Sequence, residues 1–213
     1  MTDPARRRAL CATCLRPQTT CICRWITAVD VKADLLILQH PLEVANAKGS
    51  ARLLHLCVTG STMLTGEQFD QAALAAALYA GGRTPLLLYP QPEEGAATPP
   101  AIDASDASDA GDPARVRLVL LDGTWRKSRK MLHLNPILAA LPRLALRQMP
   151  ASHYRIRKAH AADQLSSFEA AAYALSSLQG GAEAERRGML AGLLAAFDGF
   201  VDQQAGYAAP RQR

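Results

Sequence analysis

Cys11, Cys14, Cys21 and Cys23 stand in the stretch CATCLRPQTTCIC, a C-x2-C-x6-C-x-C pattern that places four thiols within 13 residues. Four thiolates so close satisfy the closed four-coordination of a structural zinc site and give a core-poor segment a reason to fold. Two readings compete with zinc. A pair of disulfides is disfavoured in a reducing cytosol, and an iron–sulfur cluster stays open because cysteine spacing alone does not choose the metal. Four cysteines leave no coordination position for a substrate, so the expected role is structural. Cys57, alone in LLHLCV, reads as a small core residue.

The second reactive stretch is LVLLDGTWRKSRKML, residues 118–132, in which an apolar run ends on Asp122 and a basic helix follows. Gly123 lets the backbone turn tightly, Thr124 or Asp122 can cap the helix, and the free N–H groups there favour an anionic ligand group. The plain alternative makes Asp122 an N-cap and Trp125 a core anchor. On the helix, Trp125, Ser128 and Leu132 share one side, while Arg126, Arg129, Lys130 and His133 share another. Cations at a helix N-terminus oppose its dipole, a cost that a polyanion would offset; a merely solvated face is the competing reading. A second basic cluster, HYRIRKAH (153–160), sets Tyr154 beside Arg155, Arg157 and Lys158, a composition suited to phosphate contact and base stacking, or to a basic surface loop. Ser166 and Glu169 form a capping-box pattern, which makes Glu169 a helix cap rather than a catalytic acid.

These residues need a frame, and the apolar pattern supplies one. Strands are expected at 33–40, 84–90, 116–122 and 143–147, and helices at 51–58, 67–80, 124–134, 165–178 and around 183–204. Such alternation argues an α/β fold with a largely parallel sheet, whose ligands gather beyond the carboxyl ends of the strands. Three such ends carry polar or aromatic groups: Gln39-His40-Pro41 with Glu43, Tyr89-Pro90, and Asp122 to Trp125. Residues 91–114 hold six acids and no Lys or Arg, and are expected to be a flexible, solvated insertion. With those acids set aside, the net charge of +5 becomes +11 on the remainder, a balance that suits a phosphate-rich partner. No apolar run approaches the roughly 20 residues of a membrane span, and MTDPARRRAL lacks a signal-peptide core, so a cytoplasmic protein is expected.

Taken in order, CxxC-x6-CxC, LQHPLE, DGTW after a strand, YRIRK and LSSFEA resemble the DTW-domain family, named for an Asp-x-Thr-Trp motif matched by Asp122-Gly123-Thr124-Trp125. The resemblance spans roughly residues 11–180. Ser50 and Ser167 stand where threonine is expected in many members, and both keep the hydroxyl. The resemblance implies transfer of the 3-amino-3-carboxypropyl group of S-adenosylmethionine to N3 of a tRNA uridine. It also implies a SPOUT-like parallel sheet with a C-terminal knot over residues 31–213, after a zinc-binding segment at 1–30. Under it, Asp122 is the catalytic base. Leu88, Tyr89, Pro90, Leu121, Gly123, Thr124, Trp125, Ser166 and Ser167 hold the cofactor, and His40, Arg126, Arg129, Lys130, Tyr154, Arg155, Arg157 and Lys158 hold RNA. An ordinary SPOUT-type RNA methyltransferase and a non-enzymatic zinc-containing RNA-binding protein are the alternatives.

Overall fold

The computed structural model describes residues 9–90, 101–103, 112–156 and 165–208. Strands β1 (Asp34–Gln39), β2 (Thr62–Thr65), β3 (Thr84–Leu88), β4 (Ala101–Asp103), β5 (Val116–Asp122) and β6 (Arg143–Ala145) form one sheet in the order β2-β1-β5-β3-β6-β4. Every neighbouring pair is parallel. A parallel sheet is covered on both faces, so its central strands read as unbroken apolar runs. In β1, Leu35 and Ile37 face one core while Leu36 and Leu38 face the other; Leu118 and Leu120 alternate with Val119 and Leu121 in β5.

Helices α1 (Ala51–Cys57), α5 (Ser167–Leu178) and α6 (Glu183–Ala208) cover the first face, through Leu53, Leu54, Phe168, Leu175, Phe197 and Phe200. Helices α2 (Gln71–Tyr79), α3 (Trp125–Leu134) and α4 (Pro136–Ala139) cover the second, through Leu74, Leu78, Met131, Leu132 and Leu138. The N-terminal cysteine segment is not an appendage: Cys14 and Ile22 are buried in the same core as Phe197 and Phe200. Trp25 closes this contact. Its ring lies so near Gly199 that a Cβ there would stand 2.2 Å from Cε3, and its Nε1 donates to Gln203 Oε1 at 2.5 Å.

The expected elements appear with small shifts. The helix expected from residue 67 starts at Gln71, where the Asp70 side chain caps it by accepting from the Ala73 N–H at 2.8 Å. Among the described residues, three strands or α-helices lie where the sequence analysis places none: the edge strands β2 and β4 and the one-turn helix α4 with Pro136 in its first turn. The expectation of a wholly flexible 91–114 is corrected in part. Ala101–Asp103 pair with Arg143–Ala145 as the edge strand β4, and Pro113–Arg115 form a 3-10 turn capped by Asp112; the rest of that segment lies outside the described residues. No helix among the described residues is long and apolar enough to cross a membrane.

Candidate functional site

Asp122 ends β5 beside Gln39, the last residue of β1, because the parallel register pairs these two positions. The Gln39 Nε2 donates to Asp122 Oδ2 at 3.0 Å, and the Ser167 side chain also hydrogen-bonds the carboxylate. The cap of α3 is Thr124, whose Oγ1 accepts from the Lys127 N–H at 3.4 Å. Asp122 is therefore free of the capping role, and its carboxylate faces the strand ends. It is 7% exposed. Burial raises its pKa above the ordinary aspartate range, the hydrogen bonds from Gln39 and Ser167 pull it back, and the charge of Glu43 raises it further.

Two cavities meet beside this carboxylate. The first, of about 260 Å³, opens at the carboxyl ends of β3, β5 and β6. Among the expected cofactor residues, Leu88, Tyr89, Pro90, Leu121, Gly123, Trp125, Ser166 and Ser167 line it, and Thr124 does not. Tyr89 and Trp125 meet edge to face at 5.5 Å on its rim. The stretch Leu146–Met149 adds Leu146, Gln148 and Met149 to the wall, with Gln148 held at a φ of 52°, and no local pattern announces it. The second cavity, about 150 Å³, is lined by Asp122 together with Glu43, Asn46, Lys48, Ser50, Thr124 and Tyr154. Gly123, Ser166 and Ser167 belong to both.

The charges around the second cavity are tied to one another. Lys127 Nζ meets Glu43 Oε1 at 2.7 Å, and Asn46 Nδ2 donates to Glu43 Oε2 at 2.7 Å. Burial acts to raise the Glu43 pKa, but these two contacts outweigh it and leave it below the ordinary range. Lys130 pairs with Glu67 at 2.8 Å. Glu43 and Glu67 thus offset part of the helix-dipole cost of α3, while Arg126 and Arg129 are exposed and make no ion pair among the described residues. His40, expected to contact RNA, is occupied within the protein. His40 is 4% exposed; its Nδ1 accepts from the Leu42 N–H at 3.1 Å, and its Nε2 meets Glu67 Oε1 at 2.8 Å, so it fixes the turn after β1.

The second basic cluster lies against α6. Tyr154 packs on Phe197 with ring centroids 5.3 Å apart and donates its hydroxyl to the Lys48 carbonyl, so a base-stacking face is not fully open. Arg155 pairs with Asp202 and stays exposed; Arg157 and Lys158 lie outside the described residues. Glu169, 2% exposed, completes a capping box with Ser166 and also accepts from Ser152 Oγ at 2.8 Å and the His153 N–H at 2.7 Å. It pins this cluster to the start of α5.

The four cysteine sulfurs lie within 4.8 Å of one another. Cys11 and Cys23 are 3.6 Å apart, Cys14 and Cys21 3.7 Å, and none is in a disulfide. A tetrahedron of sulfurs about 2.3 Å from a zinc ion has edges near 3.8 Å, so the donor set and its spacing fit. Backbone N–H groups of Cys14 and Thr13 bring the Cys11 thiol down to about 6, while burial and the neighbouring sulfurs push Cys23 up to about 12. Four thiolates so close need a cation to ionise together.

Comparison with known proteins agrees with this constellation. The family profile described as DTW domain matches residues 8–205. The chain is 27% identical over 184 residues to "tRNA-uridine aminocarboxypropyltransferase 2" of Macaca fascicularis, covering 83% of this chain and 59% of that protein. The protein of that name from Drosophila melanogaster is 29% identical over 183 residues, covering 83% of this chain and 69% of its own length. "tRNA-uridine aminocarboxypropyltransferase A" of Arabidopsis thaliana is 23% identical over 140 residues, covering 61% and 52%. The chain thus spans about three fifths of the length of the first of these relatives. No solved structure matches it significantly.

Proposed function

Because the chain belongs to the DTW domain family, we propose that it transfers the 3-amino-3-carboxypropyl group of S-adenosylmethionine to N3 of a uridine in tRNA. One observation carries the reading: a buried strand-end carboxylate, Asp122, stands on the wall of one cavity, and that cavity shares Gly123, Ser166 and Ser167 with a second, larger one. The relatives' names agree with it.

In this reading the first cavity takes S-adenosylmethionine. Leucine side chains at 88, 120, 121, 144 and 146 offer apolar walls, while Ser128, Gln148, Ser166 and Ser167 offer a few polar groups, the usual make-up of a small-ligand site. When bound, the sulfonium supplies an electrophilic γ-carbon. The second cavity takes the uridine. Its N3 is protonated at neutral pH, and Asp122 accepts that proton as the N3 lone pair forms the N–C bond. With the donor bound, cleavage of its C–S bond would send the electron pair to sulfur and release methylthioadenosine. Three carbons on the sulfonium are open to attack, so the positions of the two cavities choose among them. The hydrogen bonds from Gln39 and Ser167 favour the ionised form of Asp122, while burial and the Glu43 charge favour the protonated one and Lys127 offsets only part of the Glu43 effect.

The same reading includes a SPOUT-like C-terminal knot, supported by the all-parallel sheet and by the cavity between Leu146–Met149 and the start of α5. It also includes a structural zinc on the four cysteines and a cytoplasmic site of action. Incubation with S-adenosylmethionine and unmodified tRNA should release methylthioadenosine and leave a uridine with a new amine and carboxylate. S-adenosylhomocysteine as the sole by-product would make the protein a methyltransferase, and neither product would make it a binding protein.

Arg126 and Arg129 are the cations of α3 with room for phosphate. Arg126→Ala and Arg129→Ala should each weaken tRNA binding and reduce its salt dependence by about one counterion. Lys130→Ala should do less, since Glu67 already holds that ammonium. Binding measured across a salt series checks this, and identical slopes for parent and both arginine variants would return them to plain solvated charge.

A further inference from the structure

We propose that Arg16 is a positioning residue that transmits the fold of the cysteine segment to the wall of the second cavity, and so sets affinity for the RNA acceptor without touching it. The proposal rests on assigning that cavity to the acceptor.

Arg16 stands two residues after Cys14, and its backbone is fixed by the turn that gathers the first cysteine pair. The Leu15 N–H donates to the Cys11 carbonyl at 2.9 Å, the Cys11 N–H donates to the Arg16 carbonyl at 2.8 Å, and Leu15 takes a left-handed φ of 60°. From this turn the side chain crosses to another part of the chain. Its Nη1 donates to the Ala47 carbonyl at 2.7 Å, and its Nη2 donates to the Gly49 carbonyl at 2.6 Å. The guanidinium also lies over the Phe200 ring of α6, 5.2 Å from its centroid.

Ala47 and Gly49 belong to the non-helical loop between the turn after β1 and α1, and that loop supplies Asn46, Lys48, Gly49 and Ser50 to the second cavity. The loop holds its own turn through the Asn46 N–H to the Glu43 carbonyl at 3.0 Å, the Gly49 N–H to the Asn46 carbonyl at 2.9 Å and the Lys48 N–H to Asn46 Oδ1 at 3.0 Å, and its placement on the rest of the fold depends on outside ties. Asn46 is tied to Glu43, and the Lys48 carbonyl accepts from the Tyr154 hydroxyl. Arg16 adds the tie from the cysteine segment. A planar fork fixes the spacing and direction of two carbonyls together, which a single ammonium cannot do. The cysteine segment therefore contributes to recognition through the loop opposite Asp122, while the first cavity contains no residue of that loop.

The test compares Arg16→Ala and Arg16→Lys with Arg52→Ala. Arg52 Nη2 donates to the Thr13 carbonyl at 2.7 Å, so it ties the same turn to α1 and not to the loop. In both Arg16 variants, amide hydrogen exchange at residues 46–50 should accelerate, and affinity for an unmodified tRNA transcript should fall about tenfold for alanine and by less for lysine. The loss should appear in KM with kcat within about twofold, at unchanged S-adenosylmethionine affinity and metal content. Arg52→Ala should move neither the exchange at 46–50 nor the tRNA affinity. Unchanged exchange in Arg16→Ala overturns the proposal whatever reaction the parent catalyses. Equal losses in tRNA and S-adenosylmethionine affinity overturn it too, because they report general unfolding. If the parent protein releases no methylthioadenosine, the proposed activity fails, while exchange and tRNA affinity still decide the role of Arg16.

Discussion

Asp122→Asn is expected to bind tRNA and S-adenosylmethionine, to turn over at least about a hundredfold more slowly, and to melt at a higher temperature than the parent. The first two effects follow from removing the proton acceptor while keeping its size; the amide oxygen can still accept from Gln39. The third follows from burial. The Asp122 pKa is raised in the folded protein, chiefly by desolvation, with the Glu43 charge adding to it. An acid whose folded pKa lies above its unfolded value binds more protons folded than unfolded between the two, so stability falls as pH rises through that window and the deficit persists above it. An asparagine cannot ionise and carries no such deficit. The gain in Tm should thus vanish at pH below the ordinary aspartate value of 3.8 and be complete above the raised one. For a chain of this length each kcal/mol recovered moves Tm by about 2–4 °C. Activity of the parent should rise with pH as Asp122 ionises. The variant should lack that limb and recover only as uridine N3 itself ionises at higher pH. Calorimetry and rate profiles on the same preparations check both halves, and near-parental turnover by a folded Asp122→Asn would leave Asp122 a purely structural role.

Removal of the metal is expected to produce the largest loss of stability. Protein purified without added metal should contain about one zinc per chain. Chelation, or Cys14→Ser, should lower Tm by at least about 10 °C, because a structural site contributes its binding energy to folding. The reason the effect should reach beyond the segment is its packing. Cys14 is 2% exposed within the main core, the Gln203 Nε2 of α6 donates to the Cys21 carbonyl at 3.0 Å, and Tyr207 donates its hydroxyl to the Thr19 carbonyl at 3.0 Å. A released segment would uncover the Trp25 face of α6. Iron in place of zinc would change the metal and keep the stability argument. Folded protein with neither metal, and with an unchanged Tm after chelation, would refute the site.

The strands that carry the site were readable because burial on both faces demands apolar residues at every position: LLIL in β1 and LVLL in β5 can satisfy little else. The start of α5 was readable because Ser166 and Glu169 interact across one helical turn. β2 escaped because only Met63 and Leu64 stand between threonines in a half-exposed edge strand. β4 escaped because three residues in an acidic, alanine-rich stretch carry no period. His40 looked like a loop-end side chain open to a ligand, and nothing local reveals that Leu42 and Glu67 occupy both ring nitrogens. The neighbours that set the chemistry of Asp122 come from β1 and the turn after it, which holds Glu43, and from α3 and α5. Register and crossover, rather than local spacing, bring Gln39, Lys127 and Ser167 together.

The strand order has a consequence for how the chain is made. β1 finds its central partner only in β5, with Asp34 opposite Arg117 and Gln39 opposite Asp122, 83 positions later. On the ribosome, at about 5–20 residues per second, β1 waits several seconds for that strand to be synthesised. During that interval its LLIL run has at most the short β2 edge to pair with, as Leu36 to Gln39 against Thr62 to Thr65. High contact order makes such a sheet slow to close and leaves apolar strands open to non-native association. The residues flanking the run, Lys32 and Asp34 before it and Gln39 and His40 after it, are polar, the placement that discourages edge-to-edge joining of nascent chains. Two of them, Gln39 and His40, end in the mature protein beside Asp122 and in the turn that frames it. The side chains that shield the unfinished strand are thus among those that later build the site.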